Sequence, residues 1–437
     1  MVILFNFFEL NAQNPLLSHV YAADPSAHVW PNDCKTLWLY TSHDEPETNH
    51  HATMNSYHVF STQDLVNWVD YGRVLAVENV KWAISMAWAV DAVYWKDKYY
   101  LVYCMVEKTT GIFRTGLATS NNPQGPFNDI GFIKNLDWGQ DPAVYIDNNK
   151  PYLFWGSGGK CYAGELTDDL LALKNETKIE LTKQLFGVFE GPWVHKYNGM
   201  FYLSYPALSN GHWPEEMRYA ISRNILGPYE YRGNYIPFFE GQSATNHGSI
   251  IKFKNDWISF YHSAWLSGGI NESRNLMAAF LMYNSDGTIK PIIPSREGVS
   301  LGKKGKTTIH LEAENAPLQG GKFGAVITDS LKVGFSGKGY VTGFDMRRDY
   351  VEVVVQVAKE IKANLKVRLT ADSDYTADIL VGVTMMADWG GLPMKKTNGW
   401  ESIDLGEVIL KAGDNKIRFT PQKNVNLKID YFQIELN

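Results

Sequence analysis

Four carboxylates and one histidine, Asp24, Asp91, Asp141, Glu190 and His247, recur along the chain at steps of 67, 50, 49 and 57 residues. Each is followed, 12 to 16 positions later, by the aromatic that closes a short strand-like run. The runs are Leu37-Trp38-Leu39-Tyr40, Tyr100-Leu101-Val102-Tyr103, Tyr152-Leu153-Phe154-Trp155, Phe201 to Tyr205 and Trp257 to Tyr261. Carboxyl groups gathered from remote positions suit general acid–base work, in which an ionised one takes a proton from water and a protonated one gives a proton to a leaving group. Hydrolysis of a glycoside with inversion asks for such a pair, roughly 6.5–9.5 Å apart so that water fits between them.

The same recurrence indicates the scaffold. Steps close to 50 residues match the roughly 40–50 residues of a four-stranded blade, so the chain is expected to form a five-bladed β-propeller. The inner strands of such blades run in one direction around a channel, which would collect the five polar heads at one mouth. Between the heads, Ser61 to Trp68 with Gly72, Ser120 to Phe127 and Ser222 to Tyr229 place Gly, Pro, Asn and Asp where the chain must reverse. Strand-length runs dominate and long helical periodicity is scarce, which excludes a parallel α/β fold. Near residue 300 the pattern changes: Gly302-Lys-Lys-Gly-Lys306 reads as a polar hinge, and a new alternation begins at Ile309. Tyr350 to Val357, Leu365 to Leu369 and Lys428 to Ile434 then read as strands of a β-sandwich of jelly-roll type. The expected class is all-β, with the propeller over residues 15–301 and the sandwich over 307–437.

Length and composition agree. A chain of 437 residues exceeds one ordinary core, and 45% hydrophobic with 20% charged residues describes a globular protein. A net charge of −6 offers nothing to nucleic acid. No apolar run reaches the roughly 18 residues of a membrane-spanning helix. The 14 Trp, 24 Tyr and 21 Phe supply core and also stacking surfaces that suit sugar rings. Three cysteines, Cys34, Cys104 and Cys161, fit neither a disulfide framework nor a zinc site and read as buried core. Met1 to Phe8 is apolar and Asn11 to Asn14 resembles the tail of an export signal, pointing to a secreted or periplasmic protein; a strand closing the propeller is the other reading of this segment.

Ser42 to His58 holds His43, Asp44, Glu45, His50 and His51, but without the His-Glu-x-x-His spacing of a helical zinc site. The segment reads instead as an active-site loop with His43 and Asp44 facing substrate. Trp88, Trp138, Trp193 and Trp265 lie close to the polar heads or loop mouths and are expected to wall the pocket.

Ala23-Asp24-Pro25, Trp88-Ala89-Val90-Asp91, Asp141-Pro142, Glu190-Gly191-Pro192-Trp193 and Asn246-His247-Gly248-Ser249 together resemble glycoside hydrolase family 43 over about residues 18–300. The resemblance implies Asp24 as general base, Glu190 as general acid and Asp91 as the third carboxylate that orients the acid and keeps its pKa high. It places His247 on the channel axis, where a calcium ion binds through water, and Arg274 against the sugar. The family pattern at the second head has proline where this chain has Val90.

Beyond residue 307 the chain resembles carbohydrate-binding module family 6, through Glu312-Ala313-Glu314-Asn315, Gly337 to Val341, Asn398-Gly399-Trp400 and Ile429 to Phe432. That implies a structural calcium held by Glu312, Glu314 and Asp430, and a sugar sandwiched by Tyr340 and Trp400. Lys428 stands where that family commonly has asparagine in the binding cleft, so the domain would serve mainly to brace the propeller. Together these resemblances imply a monomeric, inverting, exo-acting α-L-arabinofuranosidase trimming plant polysaccharides such as arabinoxylan or arabinan. A β-xylosidase or β-galactofuranosidase would use the same carboxylates, and a non-catalytic glycan-binding propeller is the reading from another class.

Overall fold

A computed structural model describes residues 14–45, 50–296, 298–299, 307–316, 327–344, 349–382, 387–422 and 425–436; the expected hinge at 302–306 and the export-signal reading of 1–13 lie outside them. The described residues form strands and a few short 3-10 turns. Five antiparallel sheets follow one another in chain order. The first contains β1 (Ala22–Trp30), β2 (Asp33–His43), β3 (Ser56–Thr62) and β4 (Trp68–Ala76); the second contains β5 (Ala83–Trp95), β6 (Lys98–Glu107), β7 (Phe113–Ser120) and β8 (Asn128–Phe132). The third has β9 (Ala143–Asp147), β10 (Lys150–Ser157), β11 (Lys160–Glu165) and β12 (Ile179–Glu180), and the fourth β13 (Trp193–Tyr197), β14 (Met200–Ser209), β15 (His212–Ser222) and β16 (Glu230–Ile236). The fifth has β17 (Gly248–Phe253), β18 (Asp256–Ser263) and β19 (Asn275–Leu281).

Turn chemistry explains why the polar heads and the aromatic runs keep their spacing. The first hairpins of sheets two, three and four turn on Lys96-Asp97, Asn148-Asn149 and Asn198-Gly199, and all six residues have positive φ. That is the two-residue turn whose twist matches the strands it joins, and Asn, Asp and Gly reach it at low cost. The tight turn fixes the register of each first strand against the aromatic run, as in Val144 against Leu153 and Trp193 against Ser204. The first strands then pack side by side in chain order, β1 on β5, β5 on β9, β9 on β13 and β13 on β17, and β17 returns to β1. A ring is thereby closed around the ends that carry the polar heads.

The remaining strands are β20 (Thr308–Glu312), β21 (Ile327–Asp329), β22 (Tyr340–Thr342), β23 (Val351–Val357), β24 (Ile361–Ala371), β25 (Tyr375–Gly382), β26 (Ala387–Met394), β27 (Glu401–Leu410), β28 (Gly413–Pro421) and β29 (Leu427–Leu436). One sheet orders β23, β28, β25 and β26, while β20, β29, β22, β21, β24 and β27 form another. Alternate residues of β23, β24, β25, β28 and β29 are buried, and both sheets contribute to one core made entirely of residues 309–436. This C-terminal region is joined to the ring by β20, which pairs in parallel with β4 at Thr308–Val69 and Ile309–Asp70. Cys104 and Cys161 are buried as expected. Cys34 is exposed, because it opens β2 just past the turn from β1, where the strand has not yet entered the core.

Candidate active site

Three of the five heads share an unusual backbone. Asp24 and Asp141 have φ of 55° and 51°, and each precedes a proline; Gly191, between Glu190 and Pro192, has φ of 54°. Left-handed φ is costly for residues with a side chain and collects at functional sites. In β1 it coincides with a bulge, since Ala23 pairs with Ser42 but Ser26 already pairs with Tyr40. The extra residue turns Asp24 off the ladder and into the ring. Gly191 is required by contact as well as by conformation, because a Cβ there would lie 2.2 Å from His247 Nε2.

His247 is the hub of the site. Its Nδ1 lies 3.7 Å from Asp24 Oδ1, and its Nε2 lies 3.6 Å from Asp141 Oδ2 and 3.7 Å from Glu190 Oε1. Asp24 and Glu190 are therefore separated by no more than two such contacts and the width of an imidazole, which suits the roughly 6.5–9.5 Å of an inverting pair. A cavity of about 20 Å³, lined by Asp24, Asp141, Trp193 and His247 among others, is large enough for one water.

The two carboxyls have opposite surroundings. Burial works to raise the Asp24 pKa, but Arg274, His247 and His262 and the hydrogen bond from Ser42 outweigh it and hold the carboxyl well below the usual range. The contacts are an Arg274 Nη1 donation at 3.2 Å and a Ser42 Oγ donation at 2.6 Å. His262 stays neutral, its pKa pushed down to about 3 by burial and by Arg274; it accepts the Asp24 N–H at Nδ1 and donates from Nε2 to the Thr245 carbonyl. Glu190 is pushed up to about 8, first by burial and then by the Asp141 charge. Asp141 itself is raised by burial against the pull of His247. Burial lowers the His247 pKa, yet Asp24, Asp141 and Glu190 lift it to about 9, so the imidazole carries a proton at neutral pH. Behind Glu190, the fully buried Glu215 accepts the Asn246 N–H at 2.7 Å, and burial and Glu190 hold it well above its ordinary value. At neutral pH the site thus offers an ionised Asp24 and a protonated Glu190, the two states a base and an acid require.

Asp91, expected as the third carboxylate, is not part of this group. It lies within β5, in regular pairing with Val102, and its oxygens accept from Ser26 Oγ (2.6 Å), His28 Nε2 (2.7 Å) and the N–H groups of Ala92 and Val144 (2.7 and 2.6 Å). Ser26 and His28 lie two and four residues beyond Asp24, so Asp91 sits about 7–13 Å deeper along β1. There it ties β1, β5 and β9 together. Asp141 takes the place beside Glu190, and the feature separating them was in the sequence: Asp24 and Asp141 precede proline, whereas Asp91 precedes Ala92.

Other expected residues distribute as follows. Arg274 is buried, and its Nε and Nη2 grip Asp44 at 2.9 and 2.8 Å while Nη1 reaches Asp24. Asp44 is accordingly occupied by Arg274 and fully buried, and His43 is buried with its ring stacked 4.3 Å from His58, so neither side chain is presented to solvent as expected of a substrate contact. Trp193 lines the cavity. Trp88 is half-buried, with Nε1 on the His51 carbonyl, Trp138 packs on Tyr162, and Trp265 donates to the Glu240 carbonyl beneath Arg296. Tyr340 is fully buried and meets Trp400 edge-on at 5.5 Å, so the two do not sandwich a sugar. Ser42, Thr245 and His262, which hold Asp24 and Arg274, carry no recognisable signal in sequence.

Among the described residues, one set of three acidic or histidine donors lies within 4.8 Å, namely Asp141, Glu190 and His247. Asp141 Oδ2 and His247 Nε2 make no hydrogen bond, and these residues fit a cation in exchange for the imidazole proton, since a protonated Nε2 is not a ligand. Glu312, Glu314 and Asp430 do not close as tightly. Ser336 bridges Glu312 and Asp430, and Arg368 pairs with Asp430, while Glu314 Oε2 is buried without a hydrogen bond.

The chain is similar to several known proteins. "Xylosidase/arabinosidase 43A" of Humicola insolens is 32% identical over 333 residues, covering 63% of this chain and 98% of that protein. The arabinoxylan arabinofuranohydrolase of Bacillus subtilis (strain 168) is 29% identical over 344 residues, 66% of this chain and 65% of its own. A β-xylosidase/α-arabinofuranosidase from a compost microbial metagenome, solved with xylotriose in a calcium-free form, superposes with a TM-score of 0.58 at 32% identity over 64% of this chain and 97% of that one. A Bacillus subtilis arabinoxylan arabinofuranohydrolase solved with cellotetraose shares the fold over 97% of both chains, with a TM-score of 0.60 at 23% identity. Residues 12–289 match the profile of glycosyl hydrolases family 43, and the chain, a glycoside hydrolase, belongs to that family.

Proposed function

We propose that this protein is an inverting, exo-acting α-L-arabinofuranosidase that removes arabinose from arabinoxylan- or arabinan-type polysaccharides. The observation that carries it is the pairing, across His247, of a carboxyl held ionised with one held protonated. Asp24 deprotonates the attacking water, Glu190 protonates the leaving oxygen, and Asp141, in the role first given to Asp91, keeps the Glu190 proton in place by its charge. Arg274 and Ser42 aim Asp24. The ring of five sheets is read as a five-bladed β-propeller over 15–301, and the two C-terminal sheets as a jelly-roll sandwich over 307–437. β-Xylosidase action is the second reading, favoured by relatives named for both activities. The enzyme is further proposed to act as a secreted or periplasmic monomer.

Calcium is proposed at His247 with Asp141, and separately at Glu312, Glu314 and Asp430. Bound beside His247, it would supply fixed positive charge to the carboxyl cluster. The test is proton NMR of the earliest product from 4-nitrophenyl α-L-arabinofuranoside, with β-D-xylopyranoside and β-D-galactofuranoside run alongside. β-Arabinose appearing first is expected; α-arabinose first would overturn the mechanism, and faster turnover of the xyloside would move the assignment to β-xylosidase.

A further inference from the structure

The end of β2 presents two faces with different partners. Successive residues of an extended chain point to opposite sides. Ser42 and Asp44 point inward: Ser42 Oγ donates to Asp24, and both Asp44 oxygens are taken by Arg274, through its backbone N–H (2.8 Å), Nε (2.9 Å) and Nη2 (2.8 Å). Arg274 in turn reaches Asp24. His43 and Glu45 point outward. Glu45 accepts from Arg73 Nη2 at 3.0 Å and from Gln356 Nε2 at 2.9 Å, and its Oε1 lies 3.5 Å from His43 Nδ1. Gln356 belongs to β23, in the C-terminal region. Two residues further on, the Ala358 N–H donates to the His19 carbonyl at 2.6 Å, just ahead of β1 and Asp24. One stretch of the C-terminal region therefore grips both segments that flank the Asp24 carboxyl.

We propose that Gln356 is a positioning residue for Asp24, so that the C-terminal region sets the turnover of the distant site by fixing the back of the strand whose front holds the base. The reasoning is geometric. Asp44 and Glu45 lie beyond the last β2 pairing, His43 with Ala22; Asp44 keeps one further backbone bond, its N–H to the Tyr21 carbonyl at 3.1 Å, and Glu45 is fixed through its side chain. Glu45 is held by Gln356 from the C-terminal side and by Arg73 from β4, Asp44 is held by Arg274, and a shift of one is transmitted to the other through a single peptide unit. A misplacement of 1 Å at a reacting group can cost about a hundredfold in rate, so loosening this contact should be legible in kcat. The inference rests on Asp24 being the general base.

The test uses the full chain with Q356M, which keeps the volume of the side chain but removes its amide, together with L311A. Leu311 Cδ2 packs over Gly72 on the same junction, and its apolar side chain makes no hydrogen bond to Glu45. Q356M is expected to lower kcat about tenfold with KM within about twofold, whereas L311A lowers the melting temperature and leaves kcat unchanged. In a double-mutant cycle, Q356M and S42A should lose less together than the product of their separate losses, since both act on Asp24. Wild-type kcat in Q356M, an equal loss in L311A, or a multiplicative double mutant would each overturn the proposal. D24N separates the two levels: inactive D24N beside fully active Q356M refutes only the positioning role, whereas active D24N refutes the base assignment beneath it.

Discussion

The two sides of the pocket are both largely enclosed and treat the same functional group in opposite ways. On the side built by β1, the end of β2 and the residues before β19, Asp24 meets a guanidinium, a hydroxyl and the Nδ1 of a neutral imidazole. On the side built by the heads of β9 and β13, Glu190 meets Asp141 and, behind it, Glu215. Burial alone would raise both pKa values. The sign of the nearest partner decides which carboxyl keeps its proton, and His247, itself charged, stands between them. Base and acid are thus distinguished by neighbours that come from different sheets, and only closure of the ring brings those neighbours into place.

The largest expected effects come from deleting either pole. Asp24→Asn should lower kcat by about 10³–10⁴-fold on every substrate, because no other ionised carboxyl faces the water cavity with the same partners. Glu190→Gln should lose about 10²–10⁴-fold on natural glycosides, yet far less on a dinitrophenyl glycoside whose leaving group needs no proton. Steady-state rates on both substrate types check this. Equal losses on the two substrates in Glu190→Gln would break the contrast between the sides.

Asp141→Asn sharpens the contrast by changing one side only. Glu190 is competent while protonated, so activity falls as pH rises through its pKa of about 8. Removing the Asp141 charge removes the second-largest cause of that elevation. The basic limb of the kcat/KM profile should therefore move to lower pH, by about one unit, equivalent to roughly 1.4 kcal/mol of repulsion. A limb that stays in place, or moves to higher pH, would show that Asp141 does not act on Glu190 in this way.

Repetition in the sequence is enough to read the all-β class, the order of the sheets and the five polar heads, because the heads and their aromatic runs are local features joined by two-residue turns; the choice of Asp24 and Glu190 among those heads comes from the family resemblance. The resemblance puts the third carboxylate at Asp91, and spacing, which weighs Asp91 and Asp141 equally, does not correct it. What separates them is backbone conformation, and its trace in the sequence is the proline after Asp24 and Asp141. Arg274, through the family resemblance, and Asp44, as a loop residue, both read as site residues, but their pairing does not, for it spans 230 positions and depends on the first and fifth sheets meeting. The same holds for Ser42, Thr245 and His262: each is an ordinary strand or loop residue until the ring closes. Tyr340 and Trp400 illustrate the converse. Both residue types suit sugar stacking, and only the full burial of Tyr340 and its edge-on contact with Trp400 show that they pack on each other.

Asp91→Asn should have the smallest effect on activity and separates the two aspartates most directly. The Asp91 carboxylate accepts four donors, the Ser26 hydroxyl, the His28 ring and the N–H groups of Ala92 and Val144, and donates nothing. An asparagine amide nitrogen in place of either oxygen would point a donor at a donor, at a cost of about 1–3 kcal/mol for the buried group left unmatched. The loss falls on the contact between β1, β5 and β9, so it should appear as a lower midpoint in denaturant with the slope unchanged. Neither Asp24 nor Glu190 hydrogen-bonds to Asp91, and kcat at a temperature where the variant is fully folded should stay within about threefold of wild type. The basic limb should remain near pH 8, unlike that of Asp141→Asn. A loss of 10²-fold or more in the folded variant would return Asp91 to the acid–base machinery and dissolve the distinction between a carboxylate that joins strands and one that tunes an acid.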